Sequence, residues 1–335
     1  MQALVIAPQW VGDAVMTEPL LRRLQARGER LTVAALPHIV PVYQAMPQVA
    51  QVVTLPFPRS GLQWQARRKL AHELAGQFGV AYVLPNSFKS ALLPFLARIP
   101  KRIGYTGEAR IGLLTQRLRN PPRTERPPMV AFYSALSGQA AVEHDRPQLR
   151  PDTAHSAAAL QRFNLTPGGY VVLVPGAEYG SAKRWPTAHF AALAAQLRYS
   201  HSLPVVLLGA AKEIALCEAI ALGAPHALNL AGQTSLGEAM ALLGSARHVV
   251  SNDSGLMHLA AALGVRQTAI FGSSSPLHTP PLNARARVLW LKHDASYQPP
   301  LDCAPCFARE CPLGHTRCLQ DMKPSTVWAG MLEAV

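Results

Sequence analysis

The chain alternates short apolar runs with stretches of helical periodicity, and it does so in two successive series. The apolar runs lie at 3–7, 31–35, 52–55 and 80–84 in the first series, and at 170–174, 203–208, 248–251 and 267–271 in the second. Strands that alternate with helices form parallel sheets covered by helices. A length of 335 residues accommodates two such domains at about 150 residues each. The sequence therefore predicts an α/β protein of two doubly wound, Rossmann-like domains, 1–160 and 161–335.

The charge balance points to a polyanionic partner. The chain has 32 Lys and Arg against 19 Asp and Glu, a net charge of +13, and its cations gather in one region of the first half. This basic cluster consists of Lys89, Arg98, Lys101, Arg102, Arg110, Arg117, Arg119, Arg123 and Arg126. It suits a phosphorylated substrate, an anionic membrane surface or nucleic acid, and the alternative is a solvated basic surface. Nucleic acid is the least favoured partner, because no nucleic-acid-binding motif accompanies the cations.

The apolar segments are too short for a membrane protein. No apolar run reaches the ~20 residues that cross a bilayer. The first residues, MQALVIAPQW, lack a basic region and a cleavage site, so we interpret them as a first strand rather than a signal peptide. We therefore expect a cytoplasmic protein.

The segment SNDSGLMHLAAALG, 251–264, marks a change from strand to helix. The first N–H groups of a helix have no intrahelical acceptor and attract anions, and Gly255 allows close approach of a bulky anion. Asp253 is suited to accept hydrogen bonds from hydroxyl groups. A diphosphate at the helix with a sugar beside Asp253 is a nucleotide-sugar arrangement. The alternative is a simple helix start with Asp253 or Ser254 as N-cap.

Other strand exits carry further candidate residues. Asp13 follows the first strand and Gly12, and it is a candidate general base or an N-cap. The loop at 175–186 carries Lys183 and Arg184, which suit phosphate charge or are ordinary exposed cations. Glu213 follows another strand and suits ribose hydroxyls or a helix start. The chain has no GxGxxG motif, which disfavours a dinucleotide site.

Four of the five cysteines cluster as Cys303, Cys306, Cys311 and Cys318, with His315 nearby. A reducing cytoplasm disfavours stable disulfides. The spacing leaves two interpretations, a structural zinc site or a thiol-rich packed loop. Cys217 lies in a helical pattern and is predicted to be a core residue.

Together, these segments resemble the bacterial lipopolysaccharide heptosyltransferases over nearly the whole chain. The resemblance rests on WVGDAVM at 10–16, PGAEYGSAKRWP at 175–186, SNDSGLMHLAAALG at 251–264, FGSSSPLHTPPL at 271–282 and CAPCFARECPLGH at 303–315. The cysteine segment and the AEYG loop favour the members that add the second heptose. Leu277 and His278 depart from the acidic or aromatic residues typical of the family at that point.

The resemblance implies a GT-B fold, in which two Rossmann-like domains face each other across a cleft and the C-terminal helix usually crosses back onto the first. It implies inverting, metal-independent transfer, without a cofactor, from ADP-L-glycero-β-D-manno-heptose to the first heptose of the inner core, carried on Kdo and lipid A. The second domain would bind the donor and the first the acceptor.

The resemblance also implies roles for particular residues. Asp13 is the base, Lys183 contacts the diphosphate, Glu213 the ribose and Asp253 the donor heptose. The backbone at Ser254, Gly255 and Leu256 holds phosphate, with His258 close by. We expect Lys89, Arg98, Lys101 and Arg102 to bind the phosphorylated acceptor, and the protein to dock on the cytoplasmic face of the inner membrane.

Three other functions remain open from the sequence. Another member of the same family, or a nucleotide-sugar epimerase, would use the same two-domain fold. An anion-binding module without catalysis would instead bind RNA or a membrane at physiological salt, independently of ADP.

Overall fold

The computed structural model describes residues 1–57, 61–122, 127–139 and 145–332. The chain divides into two compact units, Met1–Arg150 and Pro151–Val335. Each unit contains one six-stranded parallel sheet with helices, so the predicted α/β class is confirmed. The division falls between Arg150 and Pro151 rather than at residue 160, because the helix Thr153–Arg162 packs on the helix Leu236–Gly244 of the second unit.

The first unit is a doubly wound sheet. Its strands are β1 (Gln2–Ile6), β2 (Arg30–Ala35), β3 (Val49–Thr54), β4 (Val80–Val83), β5 (Lys101–Tyr105) and β6 (Gln116–Leu118), in the order β3-β2-β1-β4-β5-β6. Its helices are α1 (Val11–Met16), α2 (Glu18–Ala26), α3 (Val40–Gln44), α4 (Trp64–Leu74), α5 (Phe88–Leu96) and α6 (Met129–Ser134). The strand order reverses between β1 and β4, so this is the switch point of the sheet.

Burial explains which strands the sequence reveals. Ala3, Leu4 and Val5 of β1 are fully buried, as expected for a parallel strand covered on both faces. The four apolar runs of the first series are confirmed as β1 to β4. Periodicity does not reveal β5, which opens with Lys101 and Arg102, or β6, a short strand with mostly exposed residues.

The second unit repeats the plan. Its strands are β7 (Val171–Val174), β8 (Val205–Leu207), β9 (Leu228–Asn229), β10 (His248–Asn252), β11 (Gln267–Ile270) and β12 (Ala286–Leu289), in the order β12-β11-β10-β7-β8-β9. Its helices are α7 (Thr153–Arg162), α8 (Thr187–His201), α9 (Ile214–Gly223), α10 (Leu236–Gly244), α11 (Gly255–Ala262), α12 (Arg317–Gln320) and α13 (Pro324–Leu332). Here the order reverses between β7 and β10.

The core of the second unit joins its sheet to its outer helices. Trp185, just before α8, and Phe190, in its first turns, pack with Leu173 of β7 and Leu207 of β8. Helix α13 packs against α8, β11 and β12, all within the same unit. Within the described ranges, no helix combines the length and apolar character that a bilayer span requires.

Candidate active site

Loops from four strands of the second sheet meet at its carboxyl edge. They follow β7, β8, β10 and β11. Strands β7 and β10 are neighbours at the switch point, which is where doubly wound sheets bind their ligands. Lys183 and Asp253 lie in the two loops that flank this point. The sheet therefore brings together the residues predicted to contact the diphosphate and the donor sugar.

Helix α11 starts at this switch point with Gly255. Ser254 is its N-cap, because the backbone N–H of Met257 donates to the Ser254 hydroxyl at 3.4 Å. The helix-start interpretation is thus confirmed for Ser254, while Asp253 lies just outside the cap. The N–H groups of Gly255 and Leu256 belong to the first turn, at the positive end of the helix dipole. This end of α11 has the donors and the charge that a diphosphate needs.

An ion pair lies at the carboxyl edge beside α11. Lys183 Nζ is 2.5 Å from Asp253 Oδ2. The Lys183 side chain is 19% exposed and the Asp253 side chain only 6%. The Lys183 side chain therefore keeps some contact with solvent, whereas the Asp253 carboxylate is almost covered.

Asn252 holds both ends of the loop that carries Lys183, and sequence reasoning did not find it. Its Oδ1 accepts a hydrogen bond from Trp185 N at 3.0 Å, and its Nδ2 donates to Pro175 O at 2.7 Å. Trp185 is also fixed from its indole, which donates to Met322 O at 2.7 Å. The buried amide thus closes this loop, residues 175–186, which we call the donor loop because it carries the lysine predicted to contact the donor. Its position directly before Asp253 was the available signal.

Arg184 and Glu213 contact the same loop. Arg184 Nη2 donates to Ala177 O at 3.3 Å, so part of its guanidinium stabilises the loop. Glu213 is 8% exposed and accepts a hydrogen bond from Ala210 N at 2.8 Å. Its carboxylate also fills the space that a side chain at Gly176 would need. Glu213 therefore combines a helix-start role with a position against the donor loop, and its ribose contact stays a prediction.

His258 is buried one turn into α11. Burial lowers its pKa from 6.5 to about 4; the Asp253 charge opposes this shift and the Lys183 charge adds to it. The imidazole is therefore neutral near pH 7. A neutral imidazole offers one hydrogen-bond donor and one acceptor but no positive charge.

In the first unit, Asp13 lies in the first turn of α1, directly after β1. Trp10 is the N-cap of this helix, so the N-cap interpretation of Asp13 is wrong. Gly12, beside Asp13, is a buried residue of the same helix. Asp13 therefore stands at the carboxyl edge of the first sheet, beside its β1–β4 switch point.

The Asp13 carboxylate is hydrogen-bonded to the hydroxyl of Tyr133 on α6. Tyr133 is buried, and this burial together with the Asp13 charge raises the pKa of Tyr133 well above 10. The phenol therefore stays protonated and donates to the carboxylate. Sequence periodicity gives no signal for this contact, because α6 lies far along the chain from α1.

The structure separates the four predicted acceptor residues. Lys89 is in the first turn of α5, directly after β4, at the carboxyl edge. Arg98, Lys101 and Arg102 lie at the opposite edge, because β5 begins at Lys101. A five-residue strand places these edges roughly 13 Å apart. Only Lys89 therefore shares an edge with Asp13.

Several cations of the basic cluster support the fold. Arg102 donates to Leu113 O and to Ile99 O, both at 2.6 Å. Arg110 is buried and donates to Pro85 O at 2.6 Å. Arg123 and Arg126 lie outside the described residues.

The cysteine segment packs against the donor loop and hydrogen-bonds to it. Ala182 N donates to Arg309 O at 3.0 Å, and the Tyr179 hydroxyl donates to Phe307 O at 3.2 Å. Gly180 passes so close to Arg309 that a side chain at this position would collide with the Arg309 carbonyl. The two segments are therefore built to fit each other.

The four clustered cysteines carry free thiols. Cys303, Cys306, Cys311 and Cys318, together with His315, line a cavity of about 20 Å³. In the ranges that the structure covers, no three His, Cys, Asp or Glu side chains have the arrangement of a metal site. The zinc interpretation thus gains no support, and the packed thiol loop fits the geometry. Cys217 is fully buried in the core, as predicted.

The sequence relatives decide the family. A model of glycosyltransferase family 9, the heptosyltransferases, matches residues 67–316. The chain is 40% identical over 309 residues to lipopolysaccharide heptosyltransferase 2 of Escherichia coli K12, covering 87% of this chain and 88% of that protein. The chain belongs to glycosyltransferase family 9. As a family 9 enzyme it is a glycosyltransferase, and a module without catalysis is excluded.

Further relatives support the same assignment. Lipooligosaccharide heptosyltransferase 2 of Haemophilus ducreyi is 36% identical over 312 residues, covering 87% of this chain and 89% of that protein. The solved structure of E. coli ADP-heptose LPS heptosyltransferase II superposes with a TM-score of 0.85 at 36% identity, covering 100% of this chain and 98% of that one. The two Rossmann-like units predicted for this family 9 enzyme are therefore confirmed.

Proposed function

We propose that the protein transfers L-glycero-D-manno-heptose from ADP-heptose to the first heptose of the lipopolysaccharide inner core. The observation that carries this proposal is the Lys183–Asp253 pair beside the N-terminus of α11, at the switch point of the second sheet. The names of the similar proteins, heptosyltransferase 2 and ADP-heptose LPS heptosyltransferase II, support the same donor and acceptor. A different heptosyltransferase of this family is the alternative.

The donor's diphosphate lies at α11 in this proposal. The N–H groups of Gly255 and Leu256 donate to its oxygens, and Lys183 exchanges its partner Asp253 for phosphate. Asp253 is then available to accept hydrogen bonds from heptose hydroxyls. His258 stays neutral below this site, and Glu213 and Arg184 position the surrounding loops.

Asp13 is the general base of the proposed reaction. Its carboxylate takes the proton of the acceptor hydroxyl while that oxygen forms a bond to the anomeric carbon of the donor. The bond from the anomeric carbon to the diphosphate oxygen breaks, and ADP leaves with its electron pair. Attack from the face opposite the leaving group inverts the anomeric centre.

Charge stabilisation accompanies bond cleavage. Negative charge grows on the leaving diphosphate, and Lys183 with the first turn of α11 meets it in preorganised positions. Exclusion of water protects the activated sugar from hydrolysis. We assign no cofactor to this chemistry.

The acceptor determines where the enzyme works. A heptose on Kdo and lipid A is anchored in a membrane, so we place the protein on the cytoplasmic face of the inner membrane as a peripheral enzyme. The basic first unit suits this location. We assign nucleic acid no role.

The deciding experiment incubates the enzyme with ADP-heptose and heptosyl-Kdo2-lipid A and follows the product by mass spectrometry. The expected product is heavier by one heptose and forms only when donor and acceptor are both present. A parallel reaction with ADP-heptose alone tests the epimerase. Conversion of the donor sugar without an acceptor, or transfer only to an acceptor that lacks the first heptose, would overturn the proposal.

A further inference from the structure

Most of the net positive charge of the protein is on the first unit. Residues 1–150 contain nineteen Lys and Arg against eight Asp and Glu, a net charge of +11. Residues 151–335 contain thirteen against eleven, a net charge of +2. The unit that we expect to bind the donor diphosphate is therefore close to neutral. Arg98, Lys101 and Arg102 of the first unit need a different explanation, because they lie at the edge of the sheet opposite Asp13.

A groove in the first unit collects several of these cations. It has a volume of about 800 Å³ and is lined by Arg68 and His72 of α4, by Arg98 and Arg102 beyond α5, and by Phe95 and Leu96. No acidic side chain of the described residues lines it. The groove lies between two helices that pack side by side, near the amino edge of the sheet. It is therefore distinct from the edge that carries Asp13 and Lys89.

A large apolar side chain is exposed in the groove itself. Phe95, near the end of α5, has an exposed fraction of 42%. The Arg102 guanidinium lies over the Phe95 ring, 5.5 Å from its centroid. Aromatic and aliphatic side chains interleaved with arginines are the composition that an interfacial membrane site requires, since the rings enter the headgroup region while the cations contact phosphate.

We propose that the α4–α5 groove docks the enzyme on a bilayer by binding the phosphate of anionic phospholipid headgroups. Arg68 and Arg98 provide the exposed guanidiniums, which bind phosphate through paired N–H donors. Phe95 and Leu96 provide the apolar contact. This inference deepens the proposed function, which requires a membrane-anchored acceptor, and it explains Arg98 and Arg102, which lie at the edge away from Asp13.

Co-sedimentation with vesicles tests the groove. The wild-type chain is mixed with vesicles of phosphatidylcholine alone or of phosphatidylcholine with phosphatidylglycerol. We expect partition only into the anionic vesicles, decreasing with added salt. The double variant Arg68→Gln/Arg98→Gln should partition roughly 10- to 30-fold more weakly. Phe95→Ala keeps the charge and should also weaken partition, because the groove contributes apolar contact.

The matched control is Arg198→Gln/Arg247→Gln, which removes the same charge from exposed positions of the second unit. An equal loss of partition in this control would reduce the effect to net charge and overturn the proposal. Wild-type affinity of the groove variants for anionic vesicles would overturn it as well. Binding of single-stranded RNA at physiological salt, without binding to vesicles, would overturn the proposal, because the partner would then be a nucleic acid rather than a membrane.

A second measurement separates this inference from the proposed function. Heptose transfer by the wild-type enzyme is assayed with an acceptor whose acyl chains have been removed. Transfer to this water-soluble acceptor without vesicle binding would overturn the proposal that the groove binds membranes and leave the proposed activity intact. Vesicle binding without transfer would support the groove proposal and overturn the proposed activity.

Discussion

Lys183 and Asp253 satisfy each other's charge across the switch point of the second sheet, with 2.5 Å between Nζ and Oδ2. The positive end of the α11 dipole would repel an unpaired ammonium at this position. Asp253 supplies the compensating charge, and a bound diphosphate supplies the same charge in its place. The pair therefore predicts an exchange of partners when the donor binds.

Substitutions of Lys183 and of Asp253 should have opposite effects on the binding of ADP. Lys183→Ala should weaken ADP-heptose binding and slow transfer together, by about 10²- to 10³-fold in kcat/KM, the range for losing one preorganised donor. Asp253→Asn should instead bind ADP a few times more tightly, because Lys183 no longer has a competing carboxylate, while transfer falls. Calorimetry with ADP and steady-state transfer rates measure both effects.

Lys292→Ala is the control, since it removes a lysine whose nearest carboxylate oxygen is 4.0 Å away on Asp302. It should leave ADP affinity unchanged. Unchanged donor affinity in Lys183→Ala, or weaker ADP binding in Asp253→Asn, would contradict the exchange.

Asp13→Asn tests the base. The amide keeps the shape of the carboxylate but cannot take a proton, so turnover should fall by roughly 10²- to 10⁴-fold. ADP affinity should stay the same, because the donor contacts lie in the second unit. Glu73→Gln, an exposed acid of the same unit, is the control. Near-normal turnover of Asp13→Asn would exclude this residue as the base.

Tyr133→Phe tests a positioning role for the phenol that donates to Asp13. Loss of this hydrogen bond destabilises the ionised carboxylate, so the acid limb of the pH–rate profile should move to higher pH. Tyr170→Phe is a matched control, because Tyr170 is a buried tyrosine of the second unit whose hydroxyl donates to Leu242 O at 2.7 Å. A purely structural role of Tyr133 would lower the rate at every pH without moving the limb.

Asn252→Ala should loosen the donor loop. It removes two buried hydrogen bonds, to Trp185 N and Pro175 O, at a cost of about 1 to 3 kcal/mol in the free energy of unfolding. KM for ADP-heptose should rise because Lys183 is no longer held in place. Asn283→Ala removes a comparable bond to Val265 O, 2.6 Å long, away from the site. Equal effects of both variants on KM would argue against a specific role for Asn252.

Two buried histidines predict a loss of stability in mild acid. Burial lowers the pKa of His248 and of His258 from 6.5 to about 4. The unfolded chain therefore binds protons more tightly, so the contribution is fully present above about pH 6.5 and is lost as the pH falls toward 4. Between pH 7 and pH 5 each histidine should cost about 2 kcal/mol.

Native-state hydrogen exchange of β10 measures this loss. His248 lies in β10, where its Nε2 is 3.0 Å from Thr268 Oγ1, and His248→Gln retains a polar partner for that hydroxyl. The variant should show about half of the wild-type loss of opening free energy between the two pH values. An identical pH dependence in variant and wild type would show that His248 is not responsible.

The sequence predicted most of the fold because the central strands of parallel sheets are continuously apolar. Strands β1 to β4, β7, β8, β10 and β11 all coincide with apolar runs. The short edge strands β6 and β9 and the cationic start of β5 carry no such signal. Periodicity also does not locate the boundary between the units, because only packing assigns α7 to the second unit.

The site was predicted in part, and the missing part is geometric. Motifs at strand ends predicted that Asp13, Lys183 and Asp253 lie at the carboxyl edges of their sheets, because parallel strands deliver their following loops to one edge; their roles stay predictions. The sequence did not show that Lys183 and Asp253 pair, or that Asn252 closes the donor loop. It also joined Lys89 to Arg98, Lys101 and Arg102, since a run of cations does not reveal that a strand separates its members by roughly 13 Å.

By itself, the sequence determined the α/β class, the two-unit plan and the residue types at each strand exit, since local periodicity and residue chemistry are written in neighbouring positions. Only the tertiary structure decided which side chains meet. Lys183 and Asp253 are 70 residues apart, and Tyr133 and Asp13 come from different helices. Contacts between distant segments depend on strand order and burial, which neighbouring residues do not encode.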